Sequence, residues 1–409
     1  MKKKKDVLFL CQYFYPEYIS SATLPFDTAI ALAESGMDVG VLCGYPVEYN
    51  RGGNVPTKEK VKNVVINRVK YLTINRANKL GRLINFSSFT LRCLLKLGMF
   101  RKAKSVIVYS NPPVLPLVAI LANILWKTKI VFVCYDVYPE IAINTGVTSE
   151  KSVIAKLMNI INKGLFKRVS RVVALSNEMK LFLQNSRIIE SDKISVIANW
   201  YEVTEKKKTT EGVDKKLLEI KKDNDLVVSY FGNMGICQDM DTILDAISRN
   251  RINNIKFLFA GHGIKKQVIK NFAKENKYDN VYVFDFLHES DFEYALGISD
   301  CFITSLISNA SGLCVPSKTY SYMAEGKPII AIMSEDTDIA KDILLNNAGM
   351  VCDNGDSAKI QAFLEKMYND RAKLAEMSEN CHNIFLKKYT KQICTNMYCE
   401  MFRDVLKSL

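Results

Sequence analysis

The chain has 409 residues, of which 48% are hydrophobic and 24% charged, with 10 Pro and 19 Gly; this is enough chain for two or three packed domains and excludes collagenous, coiled-coil and disordered classes. Its 11 cysteines are odd in number and form no Cys-x-x-Cys pair, which argues against a disulfide framework or a zinc finger and fits a reducing cytoplasm. The formal charge of +13 is unevenly spread, because the first 200 residues hold 29 Lys/Arg against 13 Asp/Glu and the rest hold 27 against 30.

The four lysines of the first six residues lead only into the short apolar run 7–11, too short for the core of a signal peptide. The most apolar stretch, 114–126, has thirteen residues, whereas a bilayer span needs about 20. No segment is expected to cross a membrane. Strands are predicted over 7–11, 39–42, 64–71, 106–109, 130–134, 171–174 and 194–197, with helical patterns between them, which is the signature of βαβ units. Within this half, basic residues from Arg76 to Lys104 surround Leu80, Leu83, Ile84, Phe86, Phe89 and Leu94, and such a helix can lie on an anionic membrane surface. No nucleic-acid module is present, so nucleic acid is not expected as a partner.

A polar, lysine-rich stretch at 202–225 reads as a linker with one short helix. The alternation then restarts, with strands over 226–231, 256–260, 281–284, 301–304, 328–332 and 350–352, followed by a helical segment, 358–409. The fold class is therefore α/β, with two Rossmann-like domains: residues 1–200, residues 201–385, and a terminal helix, 386–409, that can cross back to the first domain. A ligand is expected in a cleft at the carboxyl ends of the strands.

Three strand ends of the second half open into glycine turns, at Gly232 and Gly235, at Gly261 and Gly263, and at Gly312 within the loop 305–317. Glycine lets backbone approach a ligand, and the helix after each turn offers free N–H groups to phosphate. Neither a Walker pattern nor a complete Gly-x-Gly-x-x-Gly after the first strand is present, which removes P-loop kinases and simple NAD enzymes. In the segment 315–330, Ser317 is expected to cap a short helix whose first turn carries Lys318, and Gly326 with Pro328 ends it. A cation at the positive end of a helix is unfavourable unless an anion is bound there, so Lys318 is a diphosphate-clamp candidate.

These motifs, with Gln12-Tyr13-Phe14-Tyr15-Pro16-Glu17, Ser20-Ser21-Ala22, Ser110-Asn111-Pro112-Pro113, Asp136-Val137-Tyr138-Pro139-Glu140 and Gly232-Asn233-Met234-Gly235, resemble the retaining GT-B glycosyltransferases of group 1, family four, in the bacterial surface-polysaccharide branch that includes N-acetyl-L-fucosamine transferases. The resemblance implies transfer of a sugar, with retention, from a UDP-sugar bound by the second domain to a glycan or polyprenyl-diphosphate-linked acceptor bound by the first. It implies a cytoplasmic enzyme needing no cofactor or metal, since helix dipoles and basic side chains hold the departing diphosphate. The basic first half adds peripheral attachment to the inner face of the membrane.

The same resemblance assigns Gly232, Asn233, Gly235, Gln238, Gly261, Leu287, Gly312, Leu313, Pro316, Ser317 and Ser321 to the donor, and Glu17, Ser20, Ser21 and Glu140 to the acceptor. Asp136 and Lys318 are its catalytic candidates. On spacing alone Asp136 and Glu140 are equally an N-cap and a surface carboxylate. The chain departs from the family at Leu313 and Ser321, where two glutamates are usual, and at Asn233 and Gln238, which replace an Arg and a Lys. Those losses motivate an alternative, a catalytically silent scaffold subunit. A UDP-sugar 2-epimerase is the other alternative, although its acid/base carboxylates and histidines are missing. The Asp-x-Asp pairs Asp239/Asp241 and Asp336/Asp338 read as helix caps, and His262, His288 and His382 are too dispersed for zinc.

Overall fold

The computed structural model describes residues 4–46, 55–74, 79–203, 210–287 and 289–407; Arg76 and His288 lie outside them. The elements in chain order are β1 (Lys5–Cys11), α1 (Ser20–Glu34), β2 (Val39–Gly44), β3 (Lys58–Val61), β4 (Val64–Val69), α2 (Lys79–Leu94), β5 (Ala103–Tyr109), α3 (Pro116–Trp126), β6 (Lys129–Cys134), α4 (Glu140–Asn144), α5 (Val153–Phe166), β7 (Val169–Ala174), α6 (Asn177–Arg187) and β8 (Ile194–Val196). They continue with α7 (Lys215–Leu218), β9 (Leu226–Asn233), α8 (Met240–Arg249), β10 (Ile255–His262), α9 (Lys266–Glu275), β11 (Val281–Phe284), α10 (Glu289–Ile298), β12 (Cys301–Ser305), α11 (Lys318–Ala324), β13 (Ile329–Ile332), α12 (Asp338–Leu345), β14 (Gly349–Cys352), α13 (Ser357–Asn369), α14 (Arg371–Lys388) and α15 (Lys391–Lys407).

The chain divides into two compact units. The first comprises Met1–Asn199, Gly312–Cys314 and Lys391–Leu409, and the second Trp200–Ser311 and Val315–Thr390. The first is built on an eight-stranded sheet in the order β3-β4-β2-β1-β5-β6-β7-β8, the second on a six-stranded sheet in the order β11-β10-β9-β12-β13-β14. Every pairing is parallel except β3 with β4. Parallel strands covered by helices on both faces must be apolar on both, which is why residues 106–109 of β5 and 130–134 of β6 read as continuous apolar runs,. Accordingly Val7, Phe9, Val41, Ile107, Val131 and Val173 are wholly buried in the first unit, as are Leu226, Tyr230, Ile255, Leu364 and Met367 in the second.

Strand β3 is absent from the sequence-based prediction. Its Lys-Glu-Lys-Val sequence has little strand character, yet the two-residue turn Lys62–Asn63, with φ of 42° and 69°, folds it back on β4 as a hairpin. None of the eleven cysteines is in a disulfide.

Candidate functional site

In the second unit the register of β9 and β10 sets Gly232 opposite Gly261 and Asn233 opposite His262, so two glycine turns leave the sheet at one level. The Met234 N–H donates to the His262 carbonyl over 2.7 Å, and the Lys265 N–H to the Met234 carbonyl over 3.0 Å. Gly261, at φ +142°, would carry a Cβ 2.0 Å from the Gly232 carbonyl oxygen. Glycine at 261 is therefore required by turn-on-turn packing. Gly232, at φ +113°, is different: the nearest atoms to an added Cβ would be Cε and Nζ of Lys318, both at 3.7 Å. The Gln238 Oε1 accepts the Gly235 N–H at 3.0 Å, so that amide braces its own turn.

Helix α11 delivers Lys318 to the same place. Its Nζ lies 3.6 Å from the ring centroid of Tyr230 and donates to the Asn233 carbonyl at 3.4 Å, and among the described residues no carboxylate pairs with it. Burial without a counter-charge holds its ammonium pKa well below the usual lysine value,. The effect reaches the next turn, where burial, Lys318 and Lys266 together lower the pKa of His262. Tyr230 was missed by sequence reasoning, because a tyrosine two positions before a glycine turn reads as a core residue. Its ring underlies the cation, and its hydroxyl donates to the Asn233 carbonyl at 2.9 Å. Tyr322 was also missed: its hydroxyl accepts the Phe231 N–H at 2.8 Å and donates to the Phe231 carbonyl at 3.1 Å, tying α11 to the end of β9.

The remaining donor candidates are less uniform. Ser317 occupies the cap position of α11 but has right-handed helical backbone angles and makes no capping bond; the expected cap is not formed, and its exposed hydroxyl is left to solvent. Pro316 accepts the Thr319 N–H through its carbonyl. Ser321 donates to the Lys318 carbonyl at 2.7 Å, a local helix bond that spends its only proton. Leu287 is half-buried after β11, next to Phe286, whose ring lies 6.3 Å from that of His262.

Gly312 and Leu313 fall in the first unit rather than the second. There the Leu313 carbonyl accepts the Val137 N–H at 2.8 Å, and Cys314 forms an isolated antiparallel bridge with Asp136. Asp136 follows β6, and its backbone N–H donates to the Ser110 hydroxyl at 3.1 Å. The carboxyl is half-buried with no hydrogen-bond or ion-pair partner among the described residues, and burial pushes its pKa up to about 6. It is not an N-cap: α4 starts at Glu140 with Pro139 before it.

Glu140 is engaged, its Oε2 2.6 Å from Arg187. Arg187 also donates to the Tyr138 carbonyl at 3.1 Å, an acceptor shared with the Asn162 side chain at 2.7 Å, and so fixes the loop that carries Asp136. Glu17 is 5% exposed, and its carboxylate accepts the Phe14 N–H at 3.4 Å, which fastens the turn after β1. Ser20 is exposed and Ser21 half-buried in the first turn of α1.

Among the described residues no group of three or more His, Cys, Asp or Glu side chains is arranged to hold a metal ion. Asp239 caps α8 through the Thr242 N–H at 3.1 Å and also accepts from Asn354 at 2.9 Å, and Asp241 pairs with Lys265 at 3.1 Å. At α12 the cap is Thr337, accepting the Ala340 N–H at 3.3 Å, instead of either flanking aspartate.

Residues 214–383 match the family "Glycosyl transferases group 1" and residues 22–205 the "Glycosyltransferase Family 4". Each half of the chain thus matches a glycosyltransferase model, the second half that of the group 1 enzymes. It is 24% identical over 317 residues to the "Probable glycosyltransferase WbjE" of Pseudomonas aeruginosa, covering 75% of this chain and 76% of that one. Among solved structures it superposes on Anabaena Alr3699/HepE in complex with UDP and glucose with a TM-score of 0.70, at 14% identity over 99% of this chain and 100% of that one. WaaG, a glycosyltransferase involved in lipopolysaccharide biosynthesis, gives a TM-score of 0.69 at 13% identity over 97% and 99% of the two chains. The architecture of the chain is thus GT-B, two Rossmann-like α/β domains with parallel sheets.

Proposed function

We propose that this glycosyltransferase moves a sugar, with retention at the anomeric carbon, from a UDP-sugar to a growing or lipid-linked glycan in surface-polysaccharide synthesis. One observation carries the reading: Lys318 is a cation without a counter-ion, held over Tyr230 beside the open Gly232 turn. A diphosphate supplies the missing anion. The similarity to HepE, in complex with UDP and glucose, and to WaaG, involved in lipopolysaccharide biosynthesis, supports the choice of nucleotide and pathway class.

In this reading the bond between the anomeric carbon and the diphosphate oxygen breaks as the acceptor hydroxyl oxygen attacks the same face. The hydroxyl proton passes to the departing phosphate oxygen. The Lys318 ammonium takes up the charge that develops there, so the chemistry asks for no bound metal. Asp136, when ionised, accepts from an acceptor hydroxyl or steadies positive charge at the reacting carbon. The site works at the inner face of the cell membrane, to which the basic first half binds peripherally.

Calorimetric titration with UDP, with and without magnesium, tests the reading alongside Lys318→Ala. Metal-independent binding that weakens in the variant supports it. Failure to bind UDP, and then GDP, overturns it in favour of the silent scaffold.

A further inference from the structure

We propose that the layer formed by α2, α3 and α5 is the face by which the protein sits on an anionic bilayer, with Val153, Leu157 and Ile160 of α5 entering the headgroup region. This rests on the reading of peripheral attachment and assigns it a surface.

The topology separates the helices of the first unit. From β1 the chain crosses to β2 in one direction along the sheet, whereas β4 to β5, β5 to β6 and β6 to β7 run in the other. Right-handed crossovers therefore put α1 on one face and α2, α3 and α5 together on the opposite one. Packing agrees, since α2 contacts α3, α3 contacts α5, and α1 contacts α15.

Charge follows the same division. Residues 79–102, 116–129 and 150–168 hold thirteen lysines and arginines and a single acidic residue, Glu150; residues 20–34 and 391–407, on the other face, hold three basic and four acidic residues. A lysine-rich composition would load both faces, so the basic charge belongs to one of them.

That face is also apolar where a soluble surface has no reason to be. Val153, Leu157 and Ile160 recur at helical spacing on α5, and Val153 and Ile160 are 82% and 68% exposed. Lys156, Lys163 and Lys167 flank the stripe. Ile124 and Leu125 are exposed at the end of α3, as are Leu91 on α2 and Leu95 just after it. Aliphatic side chains rimmed by lysine suit acyl boundaries under anionic headgroups. A second copy would set like charge against like, and a nucleic acid would have no use for aliphatics in place of stacking aromatics. No helix of the described residues is long and apolar enough to cross a membrane. The sequence pointed only to α2; the fold adds α3 and α5.

The test is co-sedimentation with phosphatidylcholine vesicles with and without phosphatidylglycerol, at low and high salt, for the full chain and for Leu157→Glu/Ile160→Glu, Lys156→Glu/Lys163→Glu and Leu91→Glu/Arg92→Glu. All six positions are exposed, and an unchanged melting temperature excludes misfolding. The expected result is salt-sensitive binding to anionic vesicles only, with partition reduced roughly tenfold or more in both α5 variants. Wild-type binding by the α5 variants overturns the inference, and its loss in the α2 variant alone would keep peripheral attachment while moving it to α2. No binding by the native chain at low salt removes both. A concentration-dependent dimer dissolved by Leu157→Glu/Ile160→Glu, with vesicle binding unaltered, would make the face an interface between copies and overturn the inference as well.

Discussion

The ammonium of Lys318 stands 3.6 Å from the centroid of the Tyr230 ring, and the Tyr230 hydroxyl and the Lys318 ammonium donate to the same acceptor, the Asn233 carbonyl. The ring face offers the cation an attraction of about 0.5–2 kcal/mol, less than the several kcal/mol that desolvating an ion costs. The difference is what an incoming diphosphate can recover, and it makes the free site a poised one.

Lys318→Ala should weaken UDP binding by about 10- to 100-fold, the range of a charge-assisted contact of roughly 1.5–3 kcal/mol. Because the native ammonium is partly buried without a counter-ion, Lys318→Met should melt at a higher temperature than the native chain when UDP is absent. Titration calorimetry and thermal unfolding read the two effects, and a fall in melting temperature would contradict the account of the charge.

Binding should also take up protons. Lys318 and His262 both have lowered pKa values in the free protein, and an anion beside them raises both, so UDP affinity should increase as pH falls through the range where they titrate. Calorimetry in buffers of different ionisation enthalpy gives the proton count. The His262→Gln variant should reduce it.

Asp136 titrates near 6 in the folded chain, above the ordinary 3.8. Its contribution to stability is fully present below pH 3.8, is lost as pH rises through 6, and leaves a net penalty for the ionised form above it,. Asp136→Asn should therefore raise stability at pH 8 by up to about 2–3 kcal/mol, while transfer falls by about 100-fold or more. Denaturant unfolding should show a gain that is small near pH 4, about half its full size at pH 5 and complete at pH 8,. Native activity should decline below pH 6 as the carboxyl protonates.

Arg187→Gln removes the partner of Glu140 and a donor to Tyr138. Leaving that carboxylate partly buried and unpaired should cost about 2–4 kcal/mol in urea unfolding. Glu140→Gln/Arg187→Gln should recover part of the loss in a double-mutant cycle.

Gly261→Ala should destabilise the second unit by about 3 kcal/mol or more, since its Cβ would lie 2.0 Å from the Gly232 carbonyl oxygen at a φ of +142°,. Because the two turns interlock, UDP binding should fail with it. A variant of native stability would refute the interlock.

Much of the strand order could be read from the sequence because parallel strands are buried on both faces and must be apolar throughout, as in Val106–Tyr109 and Ile330–Ile332,. The hairpin of β3 escaped that signal, since Lys58 and Lys60 carry no burial pattern and only pairing with β4 makes them a strand. Lys318 was legible through its place after Pro316-Ser317, a local rule about helix ends. Ser317 was misread by the same rule, because the backbone arrives in a conformation that leaves its hydroxyl unused.

The sequence by itself determined the α/β class, the glycine turns and the place of Lys318 at a helix start, all features encoded within a few residues of each other. Only the tertiary structure decided that Gly261 packs against Gly232, that Tyr230 lies beneath Lys318, that Glu140 is spent on Arg187, and that basic charge gathers on the face of α2, α3 and α5. The reason is physical: desolvation, ion pairing and the charge of a surface are sums over neighbours brought from distant positions in the chain, and no local spacing records which neighbours those are.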